Sequence, residues 1–338
     1  MMVLAIGDIN VDVIARTNFP PRGKQVVTED FELHGGGCAA NFALACARLG
    51  VKSKLLGKVG ADEFGEFVLK QLKKGGVDVL DVMISEGRTG VTVAVVENKE
   101  RSFITFRGEN ATFSKSDILL DRLDYDIVHM PSFFLLESLR PSYSWLAAKA
   151  KKQGALLTSF DTGWDPFGMW WRTKFLREAL GSFDVFLPNL DEARGVLRAP
   201  TVTERALVDR ALEAGPKIVA IKRGSKGSIV GQGTTPALPP KQPVLSFKGP
   251  ATVKQEKKFA KVKPFNVKVV DTTGAGDVFN SAFLLAYMNT KDMTTAATFA
   301  NAAAALSVTG PGWSSYPSWS QVNDFLRKNG FQQVWPKR

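Results

Sequence analysis

A rhythm in the sequence sets the first limit on its fold. Short apolar runs bounded by turn residues, "VLAIGDI", "KSKLLGKVG", "DIVHMPS", "ALLTSFD", "DVFLPN" and "KIVAIKRG", alternate with segments of helical spacing. The latter include "CAANFALACARLG", "EFGEFVLKQLKKGG", "SYSWLAAKAKKQG" and "LVDRALEAG". Strands separated by helices pair in parallel, because each helix carries the chain back to the starting edge. The pattern predicts an α/β fold with a central, mostly parallel β-sheet flanked by helices, in a single domain over 1–338.

Two stretches break the rhythm. "KQVVTEDFELHGGG" and "GVTVAVVENKERSFITFRGEN" alternate polar and apolar residues with no helix between them. They predict a small antiparallel sheet, with strands near 13–34 and 89–112, of the kind that serves as a water-excluding lid. The stretch 232–266, rich in lysine and proline, predicts a long basic loop or insertion. No internal repeat is present.

The segment "VVDTTGAGDVF" at 269–279 parses as a β-branched strand end, a turn of small residues and a helix start. The residues after Asp277 are almost uninterruptedly apolar and predict a buried helix. A helix N-terminus presents unpaired N–H groups and a partial positive charge, so it attracts anions. Gly274, Ala275 and Gly276 let a phosphate approach bare backbone. Asp277 then stands where an attacking hydroxyl could release its proton, although the same carboxylate would also serve as a plain helix cap. The chain has neither G-x-x-x-x-G-K-[ST] nor, after its first strand, G-x-G-x-x-G, which excludes the P-loop and the common dinucleotide fingerprint.

Composition narrows the classes further. The 338 residues are 44% hydrophobic, enough for a sizeable core, and carry a formal net charge of +11. Such basicity admits nucleic acid, an anionic substrate or a solvated loop, and much of it is local to 241–268. No apolar run is long enough to span a bilayer, and the start lacks a basic leader; a cytoplasmic protein is expected. The two cysteines, Cys38 and Cys46, lie in one predicted helix and are read as core. The two histidines, His34 and His129, are too isolated for a zinc site. His129 is expected in the core, and His34, beside three glycines, is a candidate pocket residue.

"GGGCAANFALACARLG" and "DTTGAGDVFNSAFLLAY" together resemble the two signature segments of the ribokinase-like, or PfkB, family of carbohydrate kinases. The likeness runs over nearly the whole chain. It implies an ATP-dependent kinase that phosphorylates a sugar or related polyol, with Mg²⁺, and dimerises through its lid. Asp277 matches the family's catalytic base and Gly274 to Gly276 its anion hole. Asn10 and Asp12 in "GDINVD" match sugar contacts, as does Asn41, with Gly36 and Gly37 as the glycines below the lid. "PNLDEA" places Asn189 on phosphate and Glu192 on Mg²⁺ through water. "IKRGSKGS" matches the nucleotide-binding strand and turn, with Lys222, Gly224 and Gly227, and Asn301 falls near the base. Asp271 and Thr273 match positions that help hold a monovalent cation, K⁺ being the candidate.

Departures from the pattern qualify the substrate. Lys222 stands where many members have threonine, and a lysine there would reach nucleotide phosphates. "SFDTGWDPFGMWW" replaces a D-P-N-x-R stretch, so the arginine that would clamp a carboxylate-bearing sugar is missing. Phe103 and Phe106 in the lid are read as packing, and Trp164, Trp170 and Trp171 near the pocket as core. A nucleoside kinase of the same fold is the alternative. The outsiders are a catalytically silent regulator and a nucleic-acid binder acting through the lysine segment. Neither a membrane nor a nucleic-acid partner is expected.

Overall fold

The computed structural model describes residues 1–97, 100–118, 125–234 and 257–331. Its frame is a nine-stranded sheet. From one edge the strands run Lys258–Val262, Ser228–Gln232, Ile218–Lys222, Val185–Phe186, Leu157–Phe160, Ile127–Met130, Met2–Ile6, Lys52–Leu56 and Val77–Asp78. From Ile218–Lys222 to Val77–Asp78 all neighbours are parallel, as the strand–helix alternation requires. The connection after Lys222 is a tight turn with no room for a crossover helix, so Ser228–Gln232 returns antiparallel.

These strands are apolar on both faces because both are covered. Side-chain alternation sends Val3 and Ala5 into one core, and Leu4 and Ile6 into the other. The first core lies under the helices Cys38–Arg48, Glu63–Lys74, Ala275–Thr290, Met293–Ser307 and Trp319–Lys328. The second lies under Tyr143–Lys152, Lys174–Ser182, Leu190–Val196 and Glu204–Glu213. Among the described residues no helix is long and apolar enough to cross a membrane.

A second sheet of four strands runs in the order Phe31–Gly36, Asn10–Arg16, Gly90–Glu97, Glu100–Phe106. It differs from expectation in two ways. Its first strand begins at Asn10 rather than near 13, and 17–30 contains no strand. Its central pair, Asn10–Arg16 with Gly90–Glu97, is parallel, because two helices and two main-sheet strands intervene between them. The remaining pairs are antiparallel, as expected.

Two further expectations need correction. Residues 258–262, inside the stretch read as a basic loop, form the edge strand of the main sheet. Of that stretch, 235–256 lie outside the described residues. Val269 to Asp271 are not a strand either. They are irregular, with Val269 and Val270 58% and 48% exposed, and the N–H groups of Val270 and Asp271 reach Val308 O. A β-branched run forms a strand only where a neighbour offers a ladder.

The connectivity also creates a crevice. After Met2–Ile6 the chain passes through the small sheet and the Cys38 helix to Lys52–Leu56 on one side; Ile127–Met130 joins on the other. Open α/β sheets bind ligands outside the carboxyl ends of strands at such a reversal. Asp8, Ser132, Asp161, Asn189 and Lys222 all stand at or just beyond those ends.

Phe160 anchors this rim. Its ring is fully buried, lies edge-on to Phe133 and Tyr143 and stacks on Phe183 and Phe186, one residue before Asp161. Phe160→Ala should lower the unfolding free energy by about 3–5 kcal/mol. Urea unfolding checks this, and a loss under about 1 kcal/mol would show that the aromatic cluster repacks.

Candidate active site

The Ala275–Thr290 helix opens on Gly274, whose φ of 73° lies in the left-handed region, and no side chain caps it. Among the described residues no main-chain carbonyl accepts from the N–H of Gly274 or Gly276. Asp277 is buried in the first turn, and its Oδ2 accepts from Asn41 Nδ2 at 2.9 Å. Burial pushes its carboxyl well above the usual carboxylate range, Asp161 adds to the rise, and the Asn41 bond and Lys222 oppose it. The helix-cap alternative therefore fails: Gly274 is the N-cap, and Asp277 faces a neighbouring helix.

Asn41 reaches Asp277 because its own helix is held at both sides. Gly37, at φ 92°, opens the Cys38 helix, and a Cβ there would fall 2.5 Å from Asp8 O. Asp8, from the end of the first strand, accepts from Cys38 N and Ala39 N at 3.1 and 3.2 Å and so caps that helix from a distance. Trp313 Nε1 donates to Asn41 Oδ1 at 2.6 Å, which fixes the amide with its NH₂ toward Asp277. Neither Asp8 nor Trp313 was singled out from sequence, since both act through partners far along the chain.

Asp12 lies in the same recess. Its carboxyl is raised to about 7, by burial first and then by Asp8 and Asp271, and no protein group hydrogen-bonds it among the described residues. Gly36 makes room for it, because a Cβ there would lie 2.4 Å from the carboxylate. Asn10 Oδ1 accepts from Asn110 Nδ2 at 2.7 Å. Buried Asn110 also accepts from Ile9 N and donates to Ile9 O, tying the start of the small sheet to the main one.

On the other side of Asp277 a charged network is buried. Lys222 Nζ donates to Asp161 Oδ2 at 2.6 Å, Leu187 O at 2.5 Å and Asn280 Oδ1 at 3.0 Å. Asn280 Nδ2 also donates to Asp161 Oδ2 at 2.6 Å. Burial alone would lower the Lys222 pKa, but Asp161 and Glu192 reverse this and raise it. Asp161 is likewise held below the usual range, the Lys222 charge overriding its burial. A Cβ on Gly276 would lie 3.8 Å from Lys222 Nζ, so the ammonium stands beside the helix start. Asp161 and Asn280 were missed. The first sits at a parallel-strand C-terminus and the second one helical turn after Asp277, and both positions were readable signals.

Asn189 and Glu192 cap one another: Glu192 N donates to Asn189 Oδ1 at 2.8 Å and Asn189 N to Glu192 Oε2 at 2.7 Å. The Glu192 carboxyl is raised to about 8, by burial and then by Asp161. Gly224, at φ 56°, has open space where a Cβ would be, whereas one on Gly227 would fall 2.2 Å from Val262 O. Asn301 Nδ2 donates to Lys263 O at 3.0 Å, beyond the edge strand. Asp271 Oδ1 accepts from Thr273 N at 2.8 Å and Oδ2 from Gly312 N at 3.1 Å, joining two turns. Among the described residues no group of three or more His, Cys, Asp or Glu stands ready to hold a metal.

The remaining expectations divide. His129 is fully buried against Phe42 and Ser159, and burial lowers its pKa to about 3. Cys38 and Cys46 are free thiols in one helix. His34 packs at 2.5 Å on Glu32. Trp170 packs edge-on to Phe134 and Trp164, but Trp164 is 60% exposed. Phe103 and Phe106 are 59% and 56% exposed, so they do not pack inside this chain.

A glycine-opened helix start, a buried carboxylate within it and a lysine beside it meet at the crevice of a parallel sheet, a setting suited to an anion. The model of the pfkB family of carbohydrate kinases matches residues 1–320, and the chain belongs to that family. It is an ATP-dependent sugar kinase. It is 28% identical to the ribokinase of Haemophilus influenzae over 95% of this chain and 97% of that one. It is 30% identical to the ATP-dependent ribose-1-phosphate kinase of Halopiger xanaduensis, covering 96% of this chain and 97% of the relative. The structure of Arabidopsis thaliana ribokinase with ribose and ATP superposes with a TM-score of 0.77 at 26% identity, covering 96% of this chain and 98% of that one.

Asp12 gives a pH test of this geometry. Its folded pKa of about 7 exceeds the ordinary 3.8, so the folded chain holds the proton longer than the unfolded chain. The destabilisation from ionising it is absent below 3.8, grows between the two values and is complete above about 7. Asp12→Asn should therefore raise the thermal midpoint at pH 8 and leave it nearly unchanged near pH 4. A shift of equal size at both pH values would contradict the assigned environment.

Proposed function

We propose that the chain transfers the γ-phosphoryl group of ATP, with Mg²⁺, to a hydroxymethyl oxygen of an uncharged sugar or related polyol. The observation that carries this reading is Asp277, a buried carboxylate made more basic by burial and oriented by Asn41. The acceptor hydroxyl gives its proton to Asp277 while its oxygen attacks phosphorus in line and the bond to ADP breaks. The backbone N–H groups of Gly274 and Gly276 take up charge on the transferring group, that of Ala275 being already drawn to Thr272 O at 3.3 Å, and Lys222, pinned by Asp161, adds a fixed positive charge there.

Asn10, Asp12 and Asn41 would hold acceptor hydroxyls, with Gly36 and Gly37 giving the space. Asp12 and Asp277 each have their carboxyl raised by burial first and by acidic neighbours second, an environment that suits an uncharged hydroxyl-bearing acceptor better than an anionic one. The ribose and ATP held by the Arabidopsis ribokinase support both substrate classes. Asn189, Gly224, Gly227 and Asn301 would line the nucleotide side. Glu192 would hold Mg²⁺ through water, and the ion would supply neutralisation of phosphate charge there. Glu192 fits it: one carboxylate plus waters suits this ion, and a carboxyl with a pKa of about 8 is one that a nearby cation would ionise. The turns joined by Asp271 and Gly312, with Thr273, would surround K⁺.

The small sheet supports dimerisation. Its register puts Phe31, Leu33, Ile104 and Phe106 on one face, 61%, 37%, 57% and 56% exposed, opposite the face that carries Asp12. A second copy would cover that apolar face.

ATP consumption should be measured on pentoses, hexoses, sugar acids, inositols and nucleosides. Turnover should favour an uncharged polyol, and Asp277→Asn should lower kcat by about 10²–10⁴ while ATP still binds. A variant as active as the wild type would remove Asp277 from the reaction. For the lid, Ile104→Lys should convert a dimer to a monomer in sedimentation velocity, whereas a monomeric wild type would refute the interface.

A further inference from the structure

The turn after the Met293–Ser307 helix delivers several groups to the site at once. Gly312 N donates to Asp271, and Trp313 Nε1 donates to Asn41. Trp313 also packs against the small sheet, since a Cβ on Gly35 would fall 2.1 Å from its ring. The third group is Tyr316. A Cβ built on Gly274 would lie 1.9 Å from the Tyr316 hydroxyl oxygen and 3.3 Å from Asn41 Nδ2. The phenol oxygen thus rests on the first glycine of the helix start, beside the amide that orients Asp277.

Tyr316 is 5% exposed, and no hydrogen bond joins its hydroxyl to another of the described residues, while the hydroxyl oxygen is not sealed from solvent. A largely buried phenol normally finds a partner for its hydroxyl. The charged groups that surround it mark which half of the crevice it serves. They are Asp277, Asp12 and Asp271, whereas Lys222 and Glu192 belong to the nucleotide half. Burial and those carboxylates push its pKa well above the usual phenol value, so it stays a neutral donor throughout the working range.

We infer that Tyr316 is a further acceptor-binding residue, whose hydroxyl hydrogen-bonds an oxygen of the polyol and sets the attacking hydroxymethyl against Asp277. The inference rests on the kinase reading above and adds a contact to it. The acceptor oxygen would replace the missing partner of the phenol. Proton transfer remains with Asp277, because a neutral phenol surrounded by carboxylates is no base.

Tyr316→Phe removes the oxygen and keeps the ring. Kinetics should be measured on whichever panel acceptor the wild type phosphorylates best, with KM for acceptor and for ATP determined separately and thermal midpoints recorded. The expected result is a KM for the acceptor raised at least about fivefold, kcat/KM for it lowered at least about tenfold, KM for ATP within about twofold, and an unchanged midpoint. Acceptor kinetics within about twofold of wild type would overturn the inference. So would equal rises in both KM values, which would mark Tyr316 as packing alone. A wild type silent on the whole panel would sink the polyol-kinase reading and this contact with it; an active wild type matched by Tyr316→Phe would sink the contact alone.

Discussion

A lysine is costly to bury without a counter-charge, and the rim of the main sheet is arranged around the need of Lys222 for one. Its ammonium joins the ends of three neighbouring strands, through Asp161, Leu187 O and its own backbone, to the helix that carries Asp277, through Asn280. The three partners lie far apart in the chain, so the network closes only when sheet and helix are docked in one register. Removing Asp161 would leave the charge unpaired beside the anion-binding turn. The pair thus holds the strand ends at a fixed distance from the helix that carries Asp277.

The opposite half follows the reverse principle. There buried carboxyls have their pKa raised by loss of water first, with smaller additions from acidic neighbours such as Asp8. Such a pocket is held in a state of unmet demand. It offers acceptors to hydroxyl donors, and it gains most when a ligand supplies them. One crevice therefore has a cationic end at Lys222 and an acidic end at Asp12.

Much of this was legible in the sequence, and the limits have physical causes. The parallel sheet was readable because alternation dictates crossovers, and the TTGAGD turn because small residues before a carboxylate have few other uses. Asn41 was found through a motif, but its orientation depends on Trp313, 272 positions away. Tyr316 and Asn110 carry no local signal, since each matters only for what the fold places beside it. Val269 and Val270 misled because strand propensity says nothing about whether a neighbour exists. "KFAKV" misled in the opposite direction: an edge strand needs only one partner and tolerates lysines on its open side.

The bond between Asn41 and Asp277 has a consequence for the order in which the chain is made. Asn41 emerges early in synthesis and Asp277 late, yet the indole that locks the amide belongs to residue 313. A growing chain thus contains both partners of this bond before it contains the group that aims the amide. A partly synthesised chain that stops short of Trp313 would hold the Asp277 carboxylate without this orientation.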